Sequence, residues 1–82
     1  MKLKIVGPEE TQEHTILWLE LNTQAGNFVI QPGHTPMIVS LAQNKEVIFC
    51  LENGQQESFS TTGGIAEINR TSATLLLIQM PG

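Results

Sequence analysis

Short runs of apolar residues, many alternating with polar ones, are broken by turn-forming residues at intervals of roughly eight to twelve positions, the spacing of a β-sandwich or barrel. No window carries apolar residues at helical spacing for a helix's length. Leu3, Ile5 and Val6 predict a first strand that stops at Gly7-Pro8. Thr15 to Leu21 predicts a second, with Leu17, Leu19 and Leu21 on one face and Ile16, Trp18 and Glu20 on the other, because successive side chains alternate across a strand. Phe28 to Gln31 is a short strand ending at Pro32-Gly33, and Met37 to Leu41 is a further one, apolar but for Ser40.

Val47 to Glu52 and Gln56 to Thr61 flank Asn53-Gly54. That pair predicts a hairpin with a type I′ turn, which needs positive φ at both central positions. Ile65 to Asn69 and Ala73 to Ile78 flank Arg70-Thr71-Ser72 and predict a second hairpin. The expected fold is therefore all-β: a flattened antiparallel β-sandwich of about eight to ten short strands, in one domain spanning residues 1–82. There is no repeat, linker or low-complexity segment.

Composition narrows the function. The net charge is −4, with 4 Lys+Arg against 8 Asp+Glu. Nucleic-acid binding is disfavoured, because neutralising phosphates needs a basic patch. An anionic membrane surface is disfavoured for the same reason. Charged residues make up only 15% of the chain. That is below the usual quarter and favours a protein whose surface lies against partners. The longest apolar runs, Val47 to Leu51 and Leu75 to Ile78, fall far short of a membrane span of about 20 residues. Met1 to Val6 lacks the apolar stretch of a signal peptide, so a cytosolic location is expected.

Candidate chemistry is sparse. Cys50 is the single cysteine and reads as a small buried apolar residue. His14, His34 and Cys50 lack metal-ligand spacing. Ser40, Ser58, Ser60 and Ser72 stand outside any Gly-x-Ser-x-Gly context, and Gly63-Gly64 is not followed by the Lys-Ser/Thr of a phosphate loop. No catalytic residue, cofactor or metal is predicted.

Two stretches stand out as backbone devices. Gly26-Asn-Phe-Val-Ile-Gln-Pro-Gly-His-Thr-Pro36 holds Pro32 and Pro36 around Gly33 and His34. The prolines fix φ and the glycine permits a turn or the close approach of another backbone. His34 on this rigid loop suits either a polar contact to a partner or a hydrogen bond that locks the loop. The second stretch is Thr62-Gly63-Gly64-Ile65-Ala66-Glu67-Ile68. Glu67 there falls inside a strand and is expected to serve as a structural hydrogen-bonding residue rather than a contact. Trp18 stands on the face opposite Leu17, Leu19 and Leu21, which implies cover on both sides of that strand, a reversal of its inner and outer faces, or an apolar contact to another subunit.

The first stretch resembles the loop Gly-x-Phe-Gly-Val-Leu-Pro-Gly-His-x-Pro of the epsilon subunits of F-type ATP synthases, through Gly26, Phe28, Pro32, Gly33, His34 and Pro36. The second resembles that family's Ser-Gly-Gly-Phe-x-Glu-Val, and Leu3-Lys-Ile-Val-Gly-Pro-Glu9 resembles its first strand and turn. The departures are Val29 for the family's second glycine, Asn27 for a position often acidic, and Gln43-Asn44-Lys45 for a Lys-Pro-Gly turn, where Asn44 suits a left-handed conformation. The family's helical hairpin, opened by an Ala-Asp pair, has no counterpart in Leu77-Ile-Gln-Met-Pro-Gly82, so its regulatory role is not carried over.

The resemblance implies a non-catalytic rotor subunit of a bacterial enzyme, clamping the gamma subunit to the c-ring. It implies a place on the cytoplasmic face of the inner membrane, reached through the complex without direct membrane insertion. Gly7, His34, Met37 and Val39 would face gamma. Gln24, Ala25, Gly26, Asn27 and Thr62 would lie at the c-ring. Pro32, Gly33, Pro36, Asn53, Gly54, Gly63 and Gly64 would shape turns. An isolated copy is expected to be able to dimerise through the surface meant for gamma. The competing readings are a stand-alone β-sandwich module binding a peptide or small ligand and, behind it, a small β-barrel enzyme with His34 as base.

Overall fold

The computed structural model describes residues 1–79; Met80, Pro81 and Gly82, the end of the carboxy-terminal stretch considered above, lie outside the described residues. Eight strands follow one another: β1 (Lys2–Val6), β2 (Thr11–Thr23), β3 (Gly26–Ile30), β4 (Met37–Leu41), β5 (Lys45–Leu51), β6 (Gln56–Thr61), β7 (Gly64–Ile68) and β8 (Ser72–Leu77). They form one continuous hydrogen-bonded sheet in the order β1-β8-β7-β4-β2-β5-β6, with β3 also on β2 and β1 returning to β2. The sheet folds onto itself as a two-layered sandwich, about 17 Å through its thinnest dimension. All pairings are antiparallel except β1–β8, which is parallel.

β2 organises the fold. At 13 residues it is nearly twice as long as the predicted second strand. Its first part, Thr11 to Thr15, pairs with β1. Its second part, Leu19 to Thr23, pairs with β3 on one side, while Ile16 to Glu20 pairs with β5 on the other. The transfer happens at a bulge. Ile16 stands opposite Leu51 and Trp18 opposite Cys50, so β2 advances two residues while β5 advances one. Such an insertion bends the strand and reverses its in–out phase. Ile16 therefore points into the core, buried with Leu19 and Leu21, whereas Leu17 is 48% exposed. The expected grouping of Leu17 with Leu19 and Leu21 is corrected on this point. Ile16 fixes the corner: its N–H donates to the Met1 carbonyl at 2.8 Å, and the Met1 amine donates to its carbonyl at 2.9 Å.

The core fills from both layers by strict alternation. Leu3, Ile5, Leu41, Ala66, Ile68, Ala73, Leu75 and Leu77 come from one layer; Leu19, Leu21, Ile30, Val47 and Phe49 from the other. His14, half-buried, lies with its ring 5.1 Å from that of Phe49. Cys50 is buried but stands outside this cluster, opposite Trp18 on the other face of its sheet.

The Asn53-Gly54 hairpin forms, but not with a type I′ turn. Leu51 N–H donates to Gln55 O and Gly54 N–H to Leu51 O, so the loop is Glu52-Asn53-Gly54 and only Gly54 has positive φ, at +89°. This is a three-residue loop with the glycine in the left-handed position. Asn53 contributes through its side chain, whose Oδ1 accepts from Gln55 N–H. Asn44 takes φ +60°, as its turn requires.

Candidate docking surfaces

Strand register gathers the distinctive residues at two ends of the sandwich and on one face. At the first end, Thr23 pairs with Leu41, Leu41 with Gly64, and Gly64 with Leu77. The turns beyond these positions are therefore neighbours. Gln24 and Ala25 form the β2–β3 tip, with Gly26 at φ +123° and Asn27 beside it. Thr23 is buried and serves the tip twice: its Oγ1 donates to Gly26 O and accepts from Ala25 N–H. Gln24 N–H donates to Ser40 O, Ala42 N–H to Asn22 O, and Asn44 N–H to Thr61 O. Thr61 repeats the device at the Gly63 turn, donating to Gly63 O and accepting from Gly63 N–H. Gln24, Ala25, Gly26, Asn27 and Thr62 thus share one end, stitched by backbone bonds. Asn27 itself is occupied, its Nδ2 donating to Glu20 Oε2 and Asn22 Oδ1.

Gly64 is where two backbones close on each other. A Cβ there would be driven into the Leu76 carbonyl oxygen, with Leu76 C and Leu77 Cα at 3.2 Å. Gly63, by contrast, would meet only the Gln43 and Ile78 side chains at 3.5 Å.

The opposite end carries the Pro32-Gly33-His34 turn. His34 N–H donates to Gln31 O, and Gly33 has φ +87°, which gives a type II turn with proline and glycine in their favoured places. The turn is clasped to the β7–β8 hairpin: Gly33 N–H donates to Arg70 O at 2.6 Å, and Arg70 Nη1 donates to Gly33 O at 3.4 Å. His34 Nδ1–H donates to Thr35 O at 2.7 Å, so the loop-locking bond is present. Pro36 follows and leads into β4.

Between the ends lies the outer face of β4, β7, β8 and β1. Register sets two outward rows, Ile38–Glu67–Thr74–Lys4 and Ser40–Ile65–Leu76–Val6. Ile38 is 70% exposed, and Ile65, Leu76 and, beyond β8, Ile78 are also exposed. Large aliphatic residues in adjacent positions on a solvent face are the mark of an interaction surface. Met37 and Val39 do not belong to it. They alternate with Ile38, face inward and pack half-buried against the core. Gly7 and His34 are not brought together either. Gly7 follows Val6, which is level with Leu76, Ile65 and Ser40 near one end of this layer, whereas His34 precedes Met37 at the other end and three strands across.

Sequence reasoning missed Ile38, Ile65 and Leu76. The signal available was Ser40, the one polar residue of β4, which shares its parity with Ile38 and so marks the outward side.

At the His34 end the face opens into a cleft of about 470 Å³ lined by Pro36, Met37, Ile38, Glu67, Ile68 and Asn69. Glu67 is exposed there, and no side-chain hydrogen bond among the described residues reaches it, so its expected structural bond is not found. Among the described residues no group of three or more His, Cys, Asp or Glu side chains converges as a metal site would require. No helix among them is long and apolar enough to cross a membrane. The second outer face holds Trp18, half-buried opposite Cys50, with Val29 exposed on β3 opposite Glu20.

Residues 1–79 match the family model described as ATP synthase, Delta/Epsilon chain, beta-sandwich domain. A relative described as ATP synthase epsilon chain, from Paracoccus denitrificans (strain Pd 1222), is 34% identical over 77 residues, covering 93% of this chain and 51% of its own length. The chain thus spans about half the length of the curated relative it matches. Two solved structures share the fold. One is the Euglena gracilis mitochondrial ATP synthase, OSCP/F1/c-ring in rotational state 1: TM-score 0.86 and 18% identity over 96% of this chain and 51% of that one. The other is the Tetrahymena thermophila mitochondrial ATP synthase, central stalk and c-ring: TM-score 0.79 and 14% identity over 96% of this chain and 63% of that one.

Proposed function

This chain belongs to the ATP synthase delta/epsilon family through its β-sandwich domain, and from that premise we propose that it is a non-catalytic central-stalk subunit of a bacterial F-type ATP synthase. Its work is mechanical. It couples the gamma subunit to the c-ring, so that rotation of the ring and of the stalk is shared during synthesis or hydrolysis of ATP. Residues 1–82 act as one domain, with no active site of their own. The subunit sits on the cytoplasmic side of the membrane, held there by the complex.

The family match across residues 1–79 carries this reading. The two ends and the face between them divide the labour. The stitched end with Gln24, Ala25, Gly26, Asn27 and Thr62 suits polar loops of the ring, because its own backbone groups are already paired and its shape is fixed. The apolar outer face with Ile38, Ile65 and Leu76 suits gamma, with His34 at its margin. Burial of aliphatic surface supplies most of such a contact, and a few hydrogen bonds orient it.

The test is reassembly. This chain is added to an F1 core that contains gamma and lacks this subunit, and the bound fraction is measured after gel filtration. Stable co-elution is expected, and Ile38→Asp should abolish it, since a buried unpaired carboxylate costs several kcal/mol. Wild-type chain that never co-elutes would refute the reading.

A further inference from the structure

We propose that Glu67 is the charge anchor of the apolar face, and that its occupant is a lysine or arginine of the docking partner, lying with its aliphatic stem on Ile38 and Pro36. The inference rests on the central-stalk reading and adds to it the chemistry of the contact. Three observations carry it. First, the carboxylate has no cation beside it. Its neighbours across the sheet are Ile38 and Thr74. Lys4, farther along the same row, stands directly opposite Glu13 on β2 and is roughly two strand spacings, about 10 Å, from Glu67. Lys2 Nζ donates to Thr15 Oγ1, and Arg70 donates to Gly33 O. Lys45 belongs to β5, in the other layer.

Second, the surroundings amplify a charge. The cleft is walled by Pro36, Met37, Ile38 and Ile68, and Asn69 is the other polar residue lining it. A partner covering Ile38 would exclude water from Glu67 as well. A carboxylate desolvated without a cation is costly, whereas one met by a hydrogen-bonded cation is not. The long stems of lysine and arginine match an apolar approach ending in a carboxylate. Third, a second copy of this chain is a poor occupant. The chain carries a net charge of −4, so two copies repel one another as whole molecules. A foreign basic segment has no such conflict.

The experiment titrates the chain into the gamma-containing F1 core at low and high salt, with Glu67→Gln, Glu67→Lys and Ile38→Ser beside the wild type. Glu67→Gln keeps the shape of an exposed side chain and should leave the fold intact, which circular dichroism checks. About tenfold weaker binding is expected for Glu67→Gln at low salt, with a larger loss for Glu67→Lys. Both differences should shrink at high salt, because salt screens the attraction between the still-separated carboxylate and its cationic partner. Changing gamma's lysines and arginines singly to glutamate should uncover one that restores binding of Glu67→Lys.

Unchanged affinity of Glu67→Gln alongside weakened Ile38→Ser would overturn the proposal and leave the central-stalk reading standing. A loss equal at both salts would also overturn it, by marking a neutral contact. So would sedimentation showing that Glu67→Gln alters self-association alone. Failure of the wild type to bind would remove both readings together.

Discussion

Replacing Gly64 with alanine tests how far a single backbone contact decides this fold. The residue sits at φ +157° and pairs with Leu77. A new Cβ would enter the Leu76 carbonyl oxygen, with two more backbone atoms at 3.2 Å. No rotamer relieves a clash with backbone, so β7 and β8 must part. Separating them there costs a ladder hydrogen bond, about 1 kcal/mol. The unfavourable backbone conformation adds about 1–3 kcal/mol for a residue with a side chain. Lost packing of Leu77 against the core adds roughly 1 kcal/mol more. The sum is about 3–5 kcal/mol, against a total stability of about 4–12 kcal/mol for a chain of this length.

The melting temperature should therefore fall by roughly 15–30 °C, read by circular dichroism or calorimetry. Gly54→Ala is the control. Its φ is also positive, at +89°, but nothing lies within 4 Å of the added carbon. It should cost only the left-handed conformation, about 1–2 kcal/mol. If Gly64→Ala proves no more damaging than Gly54→Ala, the close approach of β7 and β8 does not control stability and the argument fails.

Three further outcomes follow from the packing. Deleting Leu17 turns β2 into a regular strand in which Ile16, Trp18 and Leu19 keep Leu51, Cys50 and Phe49 as partners, so every side chain keeps its face and the chain should still fold cooperatively with only a modest loss from the straightened corner, and Leu17→Ser should stay within about 0.5 kcal/mol of wild type in urea titration. Leu19→Ala, at a fully buried site, should lose about 2–5 kcal/mol in the same assay. Thr61→Val leaves the Gly63 N–H buried without its acceptor, which should cost about 1–3 kcal/mol and speed exchange of that amide.

Much of this architecture can be read from residue order, because local signals and tertiary demands agree over most of the chain. Gly7-Pro8 directly follows β1, Pro32-Gly33 lies just beyond β3, and Arg70-Thr71 separates β7 from β8, although Ser72, expected in the turn, already belongs to β8. Asn44 and Gly33 adopt the positive φ their residue types allow. The bulge at Leu17 escapes such reading. A period of two cannot register an insertion that exists only because β2 must serve β1 and then β5. Leu17 looks like its neighbours Leu19 and Leu21, and only the partner strand distinguishes them. Met37 and Val39 look as suited to a contact as Ile38 does, because β4 carries apolar side chains on both faces. Which side faces solvent depends on how β4 pairs with β7, and within the five residues Ser40 alone hints at it. The Asn53-Gly54 turn misleads for a related reason: the dipeptide suits either a two-residue or a three-residue loop, and the ladder through Leu51 and Gln55 selects the longer.

The passage of β2 from one layer into the other has a mechanical corollary. Interdigitated side chains resist sliding between the layers of any sandwich. Here a covalent chain crosses the gap, held to β1 on one side and to β3 and β5 on the other. Any displacement of one layer along the other must peel several ladders at once. A twist applied at the Gln24-Ala25 tip would accordingly travel through peptide bonds to the far layer with little elastic give.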